Sequence, residues 1–303
     1  MLNITLLGCG GSLPTPNRFL TSLLINYSGY KILLDCGEGT QVAMKINKTG
    51  FKDIHLICFT HFHADHVLGL PGLLLTIANS GRVEPLTIIG PKGCTEVINC
   101  LRVLCPELPY EINIIENIDS CENVFSIKDL TVNILSLQHT LPCNGYSFIL
   151  KRRAKFDAAK AIKNNVPKFL WSKLQKGQCI DYEGKTYSPS MVLGNERQGL
   201  KVTYITDTRP IDDIIPFAFN SNLFICEGMY GDDSYLDKAL SNKHMLFSEA
   251  ANLALNAKVQ ELWLTHFSPG LANPEDYIER ARGIFNNTEI GKDGMAKTLF
   301  FSE

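Results

Sequence analysis

The segment Thr60-His61-Phe62-His63-Ala64-Asp65-His66 sets three imidazoles and a carboxylate within six residues, directly after the apolar run Ile54-His55-Leu56-Ile57-Cys58-Phe59. Neutral imidazole and carboxylate are the standard nitrogen and oxygen ligands of a zinc-type ion. Residues two apart project to the same side of an extended chain. His61 and His63 can therefore share one ion, while Asp65 and His66 are free to face a second. The segment reads as half of a two-metal site; the alternative is a polar loop that is rich in histidine by chance. If it is a site, the missing ligands must come from elsewhere in the chain.

Candidates recur at the ends of strand-like runs. His139 follows the run 132–137, Asp207 follows 200–205, Glu227 closes 221–226, and Thr265-His266-Phe267 echoes Thr60-His61-Phe62 after the run 261–264. His244 reads as the opening of a helix whose Leu246, Ala250, Leu253 and Ala254 form one apolar stripe, a place where free N–H groups favour an anion. Of the seven histidines, only His55 lies away from a strand end or helix start, and it reads as structural. The other six, with Asp65 and Asp207, make a complete ligand set for two ions plus one spare imidazole. Asp35 ends the strand-like run 31–35 before a Gly-rich turn, where a carboxylate orients a ligand histidine from behind or simply starts the turn.

The elements that must position these residues are mostly strands in the first third, expected over 2–7, 21–27, 31–35 and 54–60 and punctuated by Gly, Pro, Asn and Ser. Helices are expected over 40–46, 67–79 with Gly81 as the stop, and 91–105 opened by Pro91. Further strands are expected over 86–89, 112–118, 124–127, 130–137 and 146–150. At 303 residues the chain is long enough to bury a sizeable core. Its ten cysteines include no Cys-x-x-Cys pair, and most sit in apolar runs, which argues against a disulfide framework. The N-terminus lacks a basic segment and begins with a strand-like pattern, which is not a signal peptide. No apolar run approaches the ~20 residues that span a bilayer. A reduced, cytoplasmic protein without a membrane partner is expected.

A formal net charge of −2 would argue against a nucleic-acid partner, except that the positive charge is concentrated. Residues 151–176 carry nine of the chain's 29 basic side chains, Lys151, Arg152, Arg153, Lys155, Lys160, Lys163, Lys168, Lys173 and Lys176, against one acid, Asp157. Phe156, Phe169 and Trp171 lie among them. A solvated helix face would also be charged, but interleaved aromatics suit an extended arm that grips phosphates and stacks on bases or ribose.

The ordered set His-x-His-x-Asp-His, the isolated His139, Thr-Asp-Thr at 206–208 and Thr-His at 265–266 resembles the metallo-β-lactamase superfamily. Leu6-Leu7-Gly8-Cys9-Gly10-Gly11-Ser12-Leu13-Pro14, Leu34-Asp35-Cys36-Gly37-Glu38-Gly39-Thr40-Gln41 and Val67-Leu68-Gly69-Leu70-Pro71-Gly72-Leu73 narrow the resemblance to the ribonuclease Z family, endonucleases that trim the 3′ ends of transfer-RNA precursors. It covers nearly the whole chain. It implies an α/β, four-layer αββα sandwich forming a single domain over 1–303, with an inserted basic arm at 151–198 that protrudes and binds tRNA through the nine cations above. It also implies two zinc ions per subunit, with manganese as an alternative. His61, His63 and His139 would hold one, Asp65, His66 and His266 the other, and Asp207 would bridge them. Glu227 and His244 match the family's auxiliary pair, and a homodimer is implied. Many members carry a Gly-Pro pair in the arm, where this chain has Val166-Pro167.

The chemistry expected is metal-assisted phosphodiester hydrolysis, with Asp65 as both ligand and proton acceptor, and His244, supported by Glu227, protonating the departing 3′ oxygen. The rivals are a hydrolase of the same fold acting on a small phosphodiester, thioester or lactone, and a non-catalytic RNA-binding protein. The basic arm speaks against the first and the complete ligand set against the second.

Overall fold

The structure is a computed structural model that describes residues 1–117 and 125–302. Of the expected strand residues, Ile118 and Val124 lie outside the described residues, as does Cys121. The remaining nine cysteines are free thiols. No helix among the described residues is long and apolar enough to cross a membrane.

Contacts divide the chain into two units. The larger comprises Met1–Ile149 and Leu200–Phe300, the smaller Leu150–Gly199 with the residues from Phe301 on. In chain order the strands are β1 (Leu2–Gly8), β2 (Ser22–Tyr27), β3 (Tyr30–Leu34), β4 (Ile54–Cys58), β5 (Leu86–Pro91), β6 (Ile112–Asn117), β7 (Phe125–Ile127), β8 (Leu130–Leu137), β9 (Cys143–Arg152), β10 (Ile180–Tyr182), β11 (Lys185–Tyr187), β12 (Arg197–Ile205), β13 (Leu223–Glu227), β14 (Leu262–Thr265), β15 (Thr288–Ile290) and β16 (Met295–Leu299). The helices are α1 (Thr40–Ile46), α2 (Ala64–Val67), α3 (Leu70–Asn79), α4 (Cys94–Arg102), α5 (Ala158–Lys163), α6 (Trp171–Gln175), α7 (Ile214–Ala218), α8 (Leu236–Asn242), α9 (Phe247–Asn256) and α10 (Ile278–Ile284).

Two seven-stranded sheets form the large unit, ordered β16-β1-β2-β3-β4-β5-β6 and β15-β14-β13-β12-β9-β8-β7. Each pairs antiparallel hairpins with a parallel block, β3 to β6 in the first and β12 to β15 in the second. Parallel strands are buried on both faces and so read as unbroken apolar runs rather than alternations. β13 and β14 are buried at every position, and β3 at all but its first. Helices α1, α3 and α4 cover the outer face of the first sheet, where Ala43, Met44, Leu70, Leu73, Leu74, Ile77 and Ile98 join Leu33 and Ile57 in one core. Helix α9 packs on β13 and β14 of the second. This is the αββα layering that the resemblance implies.

Beyond shifts of a few residues at strand and helix ends, three expectations are corrected. The helix expected over 67–79 is two helices, α2 and α3, separated at Leu68–Gly69, because the Gly69 N–H donates to the Cys36 carbonyl at 2.9 Å. A Cβ on Gly69 would stand 2.2 Å from the Gly37 oxygen, so the close approach of these backbones requires glycine there. The helix expected from Pro91 begins instead at Cys94; Pro91 is the last residue of β5, paired with Asn117. His244 is not at a helix start. It lies between α8 and α9, after Lys243, which ends α8 in the left-handed conformation (φ 57°). Helix α9 begins three residues later, with the Glu249 carboxylate accepting from the Leu246 N–H.

The small unit has its own core. Ala161, Val166, Leu170, Leu174, Tyr187 and Val192 are buried together, with Phe156 and Trp171 packed against them. The Phe156 and Trp171 rings lie 5.0 Å apart, and the indole N–H donates to the Val166 carbonyl. This corrects the expectation of three ligand-stacking aromatics: two of them, partly buried, hold the unit together, and Phe169, 62% exposed beside Tyr182, is the most open of the three. Val166, which precedes Pro167, is part of that core. β10 and β11 form a hairpin turned at Glu183-Gly184, both with positive φ.

Candidate metal centre

The parallel blocks explain why the candidate residues meet. Side chains that follow β3, β4, β12, β13 and β14 all leave at carboxyl ends of parallel strands, where α/β sheets gather their ligands. Asp35, Asp207 and His266 leave their strands with φ of 56°, 54° and 57°. That conformation costs a non-glycine residue on the order of 1–3 kcal/mol. Each turn aims its side chain inward where a continued strand would carry it past.

Around Asp207 three overlapping groups of ligand-type atoms converge, the third being Asp207 itself with His244 and His266. In the first, His61 Nε2 and His139 Nε2 lie 2.8 and 3.2 Å from His63 Nδ1, and 3.8 and 3.9 Å from Asp207 Oδ1. In the second, His66 Nε2 lies 3.1 Å from His266 Nε2, both are within 3.4 Å of Asp65 Oδ2, and they stand 3.2 and 3.3 Å from Asp207 Oδ2. The two oxygens of Asp207 thus face different groups.

Behind the rings, protein acceptors fix the tautomers. The Asp35 carboxylate accepts from His66 Nδ1–H at 2.9 Å and from the Thr60 N–H and hydroxyl. The Thr60 oxygen in turn takes His61 Nδ1–H at 3.1 Å, and the Lys243 carbonyl takes His139 Nδ1–H at 3.2 Å. With Nδ1 protonated, each Nε2 lone pair points into the centre, as a ligating imidazole requires. Asp35 therefore stands where an orienting carboxylate is expected. His266 Nδ1 is buried without a partner among the described residues.

Electrostatics sort the same groups. Burial pushes the pKa of His61 well below the ordinary histidine value, and those of His63 and His139 down as well, so the first group favours neutral imidazole. For His66 burial acts in the same direction, but Asp207, Asp35 and Asp65 outweigh it and raise the pKa. Burial works against ionisation of Asp207, and the surrounding imidazoles overcome it and hold the carboxylate well below its usual range. Ring nitrogens meeting at 2.8–3.2 Å share either a proton or, where both present lone pairs, a metal cation, and two carboxylates supply the balancing charge. The donor set fits a divalent metal site.

The auxiliary pair is also assembled. Glu227 Oε2 accepts from His244 Nδ1 at 3.0 Å and from the Met245 N–H, and Oε1 accepts from the Thr208 N–H. Burial disfavours the charged form of His244, but Glu227 overcomes this and pushes the pKa up to about 9. His63, Asp65, His139, Asp207 and His244 open onto a cleft of about 710 Å³. His55 lies apart, stacked on Tyr30 at 3.8 Å.

Several residues that shape the centre escape sequence reasoning. Arg209 forms a salt bridge with Glu249 and donates to the His244 carbonyl, tying down the segment that carries that imidazole. Lys243 Nζ donates to the His139 carbonyl at 2.8 Å, and the Ser12 N–H to Asp65 Oδ2 at 2.6 Å. Gly11 leaves room for His266, whose ring would lie 2.6 Å from any Cβ there. The dipeptide Gly10-Gly11 is the one advance signal of that approach; nothing local marks Arg209.

In the small unit, Lys151, Lys155, Lys163, Lys168, Lys173 and Lys176 are exposed. Arg152 is engaged by the Ser302 carbonyl and the Phe301 ring, and Lys160 donates to the Leu193 carbonyl.

Comparison with known proteins supplies the family. A family model described as Anti-Pycsar protein Apyc1 matches residues 2–174. A protein named Ribonuclease Z from Clostridium acetobutylicum is 57% identical over 306 residues, with 99% of each chain covered. Among solved structures, human tRNase Z, short form, superposes with a TM-score of 0.71 at 24% identity, covering 99% of this chain and 100% of that one. The metallo-β-lactamase fold protein YhfI from Bacillus subtilis gives 0.69 at 20% identity, with 98% of each chain covered. Both share the fold described above. The chain belongs to the group that the Apyc1 model describes and, along its full length, to the ribonuclease Z family.

Proposed function

We propose that the tRNA 3′-processing endoribonuclease activity of this family runs here on two zinc ions, for which His61, His63 and His139 would supply one ligand set and Asp65, His66 and His266 the other, with an Asp207 oxygen available to each. The observation that carries this reading is the division of Asp207, with Oδ1 toward the first group and Oδ2 toward the second. Bound there, the ions supply Lewis acidity, bringing the pKa of water from ~15.7 to ~7 and offsetting charge on the phosphodiester. Manganese suits the same donors less well, since imidazole favours zinc.

The chain's own groups do the rest. Asp65, oriented by the Ser12 N–H, accepts the proton released as a water oxygen bonds to phosphorus. His244 keeps its proton through neutral pH because of Glu227. It gives that proton to O3′ as the P–O3′ bond breaks, leaving a 3′-hydroxyl on the tRNA and a 5′-phosphate on the trailer. The exposed lysines of the basic unit take RNA phosphates. The reading includes a homodimer in the cytoplasm, which sedimentation of the purified chain tests for its first part.

One assay tests the whole: a precursor tRNA incubated with the zinc-loaded chain, and both product ends mapped. A 5′-phosphorylated trailer is expected. Hydrolysis of a small aryl phosphodiester with the precursor left whole would transfer the reading to a small-substrate hydrolase.

A further inference from the structure

The cleft over the candidate centre shares a wall with a second cavity of about 100 Å³ that the chemistry above does not use. Met229, Tyr230, Lys238 and Ser268 border both. The rings of Tyr230 and Tyr235 are stacked there, 5.7 Å apart and within 9° of parallel. Asn242 donates to the Tyr230 hydroxyl oxygen at 3.1 Å, which fixes the inner ring. Tyr230 is 6% exposed and Tyr235 49%, so the pair is anchored on one side and open on the other. Lys238 Nζ stands 5.4 and 6.0 Å from the two ring centroids and has no carboxylate partner among the described residues. The nearby Asp232 is engaged by the Ser234 N–H and by Arg280 instead. Tyr277 closes the far wall, at a distance that only a glycine at 231 permits: a Cβ there would fall 2.6 Å from the Tyr277 side chain.

A rigid aromatic pair with an ammonium held over its rings, and no carboxylate among the described residues to neutralise that charge, matches the two parts of one nucleotide, a planar base and its phosphate. We propose that the Tyr235–Lys238 corner is a subsite for a nucleotide flanking the cleaved phosphate, with the base on Tyr235 and a phosphate on Lys238. The inference rests on the RNA-cleaving reading above and adds which side chains hold the substrate beside the centre. Stacking accepts any base and an ammonium any phosphate, so the subsite sets register along the strand and not sequence. The nucleotide belongs either to the tRNA side or to the trailer side of the cut, and the recognition chemistry is the same for both.

The test compares kcat/KM for precursor tRNA with that for bis(p-nitrophenyl) phosphate, which reports on the centre alone. Tyr235→Ala is expected to lower the RNA value by about tenfold, and the ratio of RNA to aryl ester with it, while Tyr235→Phe restores both. Precursors with a single abasic nucleotide immediately 5′ or 3′ of the cut then assign the side. One of the two is expected to lower wild-type cleavage by about tenfold and to lower that of Tyr235→Ala no further. Equal loss on both substrates, or wild-type RNA cleavage by Tyr235→Ala, overturns the subsite and leaves the endonuclease reading standing. So does an abasic effect that is the same in variant and wild type. A wild-type chain that hydrolyses the aryl ester and leaves the precursor whole overturns both.

Discussion

Around Asp207 six imidazoles gather, all buried but His63, and their outward nitrogens are largely held by protein acceptors. In Leu150–Gly199, six lysines stand exposed with no partner among the described residues. The first region fixes its charge by geometry in a low-dielectric setting, where a displacement of one atom is costly and salt has little reach. The second holds charge by number, in water, where no single residue matters much and salt screens every interaction. In the proposed function, chemistry and grip thus rest on different physics, and variants should separate them.

The sharpest break is expected from Asp207→Ala, which removes the oxygens facing both groups. Metal analysis should show well under two equivalents of zinc, and single-turnover cleavage should fall by about a thousandfold or more. Two retained equivalents would show that nothing bridges. His63→Ala should abolish cleavage while tRNA affinity, read by filter binding, stays within about threefold; a matching loss of affinity would mean that the centre mainly holds substrate. Asp35→Asn keeps size but weakens the acceptor behind His66, and zinc affinity by competition with a chelator should fall about 10- to 100-fold. Arm variants should act on the other side of the divide. Lys168, Lys173 and Lys176 changed together to Ala should flatten the dependence of log affinity on log salt by about 2–3 and spare the rate at saturating RNA. Lys176→Ala alone should change affinity by about twofold, and an effect as large as that of Asp35→Asn would erase the distinction.

The centre was legible because its residue types are chemically scarce and sit at strand ends. His61 to His66, His139, Asp207, Glu227 and His266 can each be picked out before any fold is known, and the parallel blocks then bring them together. What escaped was long-range or depended on backbone conformation. His244 reads as a helix start because Lys243-His244 precedes an apolar stripe, yet a left-handed Lys243 and the Glu249 cap move that start to Phe247. Pro91 suits a first helical turn equally well, and pairing with β6 decides otherwise. In the basic unit the charge was plain but the core was not, because Phe156 and Trp171 look the same in sequence whether they stack on a base or on each other. Arg209 carries no local signal, since its partner Glu249 lies 40 residues away.

The turns at Asp35, Asp207 and His266 have a consequence for how the protein is made. The centre draws on residues from 35 to 266, and the contact between Asp65 and His266 spans 201 positions. During synthesis the first group gains Asp207, and the second gains His266, only after most of the chain has left the ribosome. A growing chain therefore carries scattered imidazoles and no assembled ligand set. The candidate ligands meet only when both sheets have formed, so the set belongs to the finished fold and to no shorter part of it.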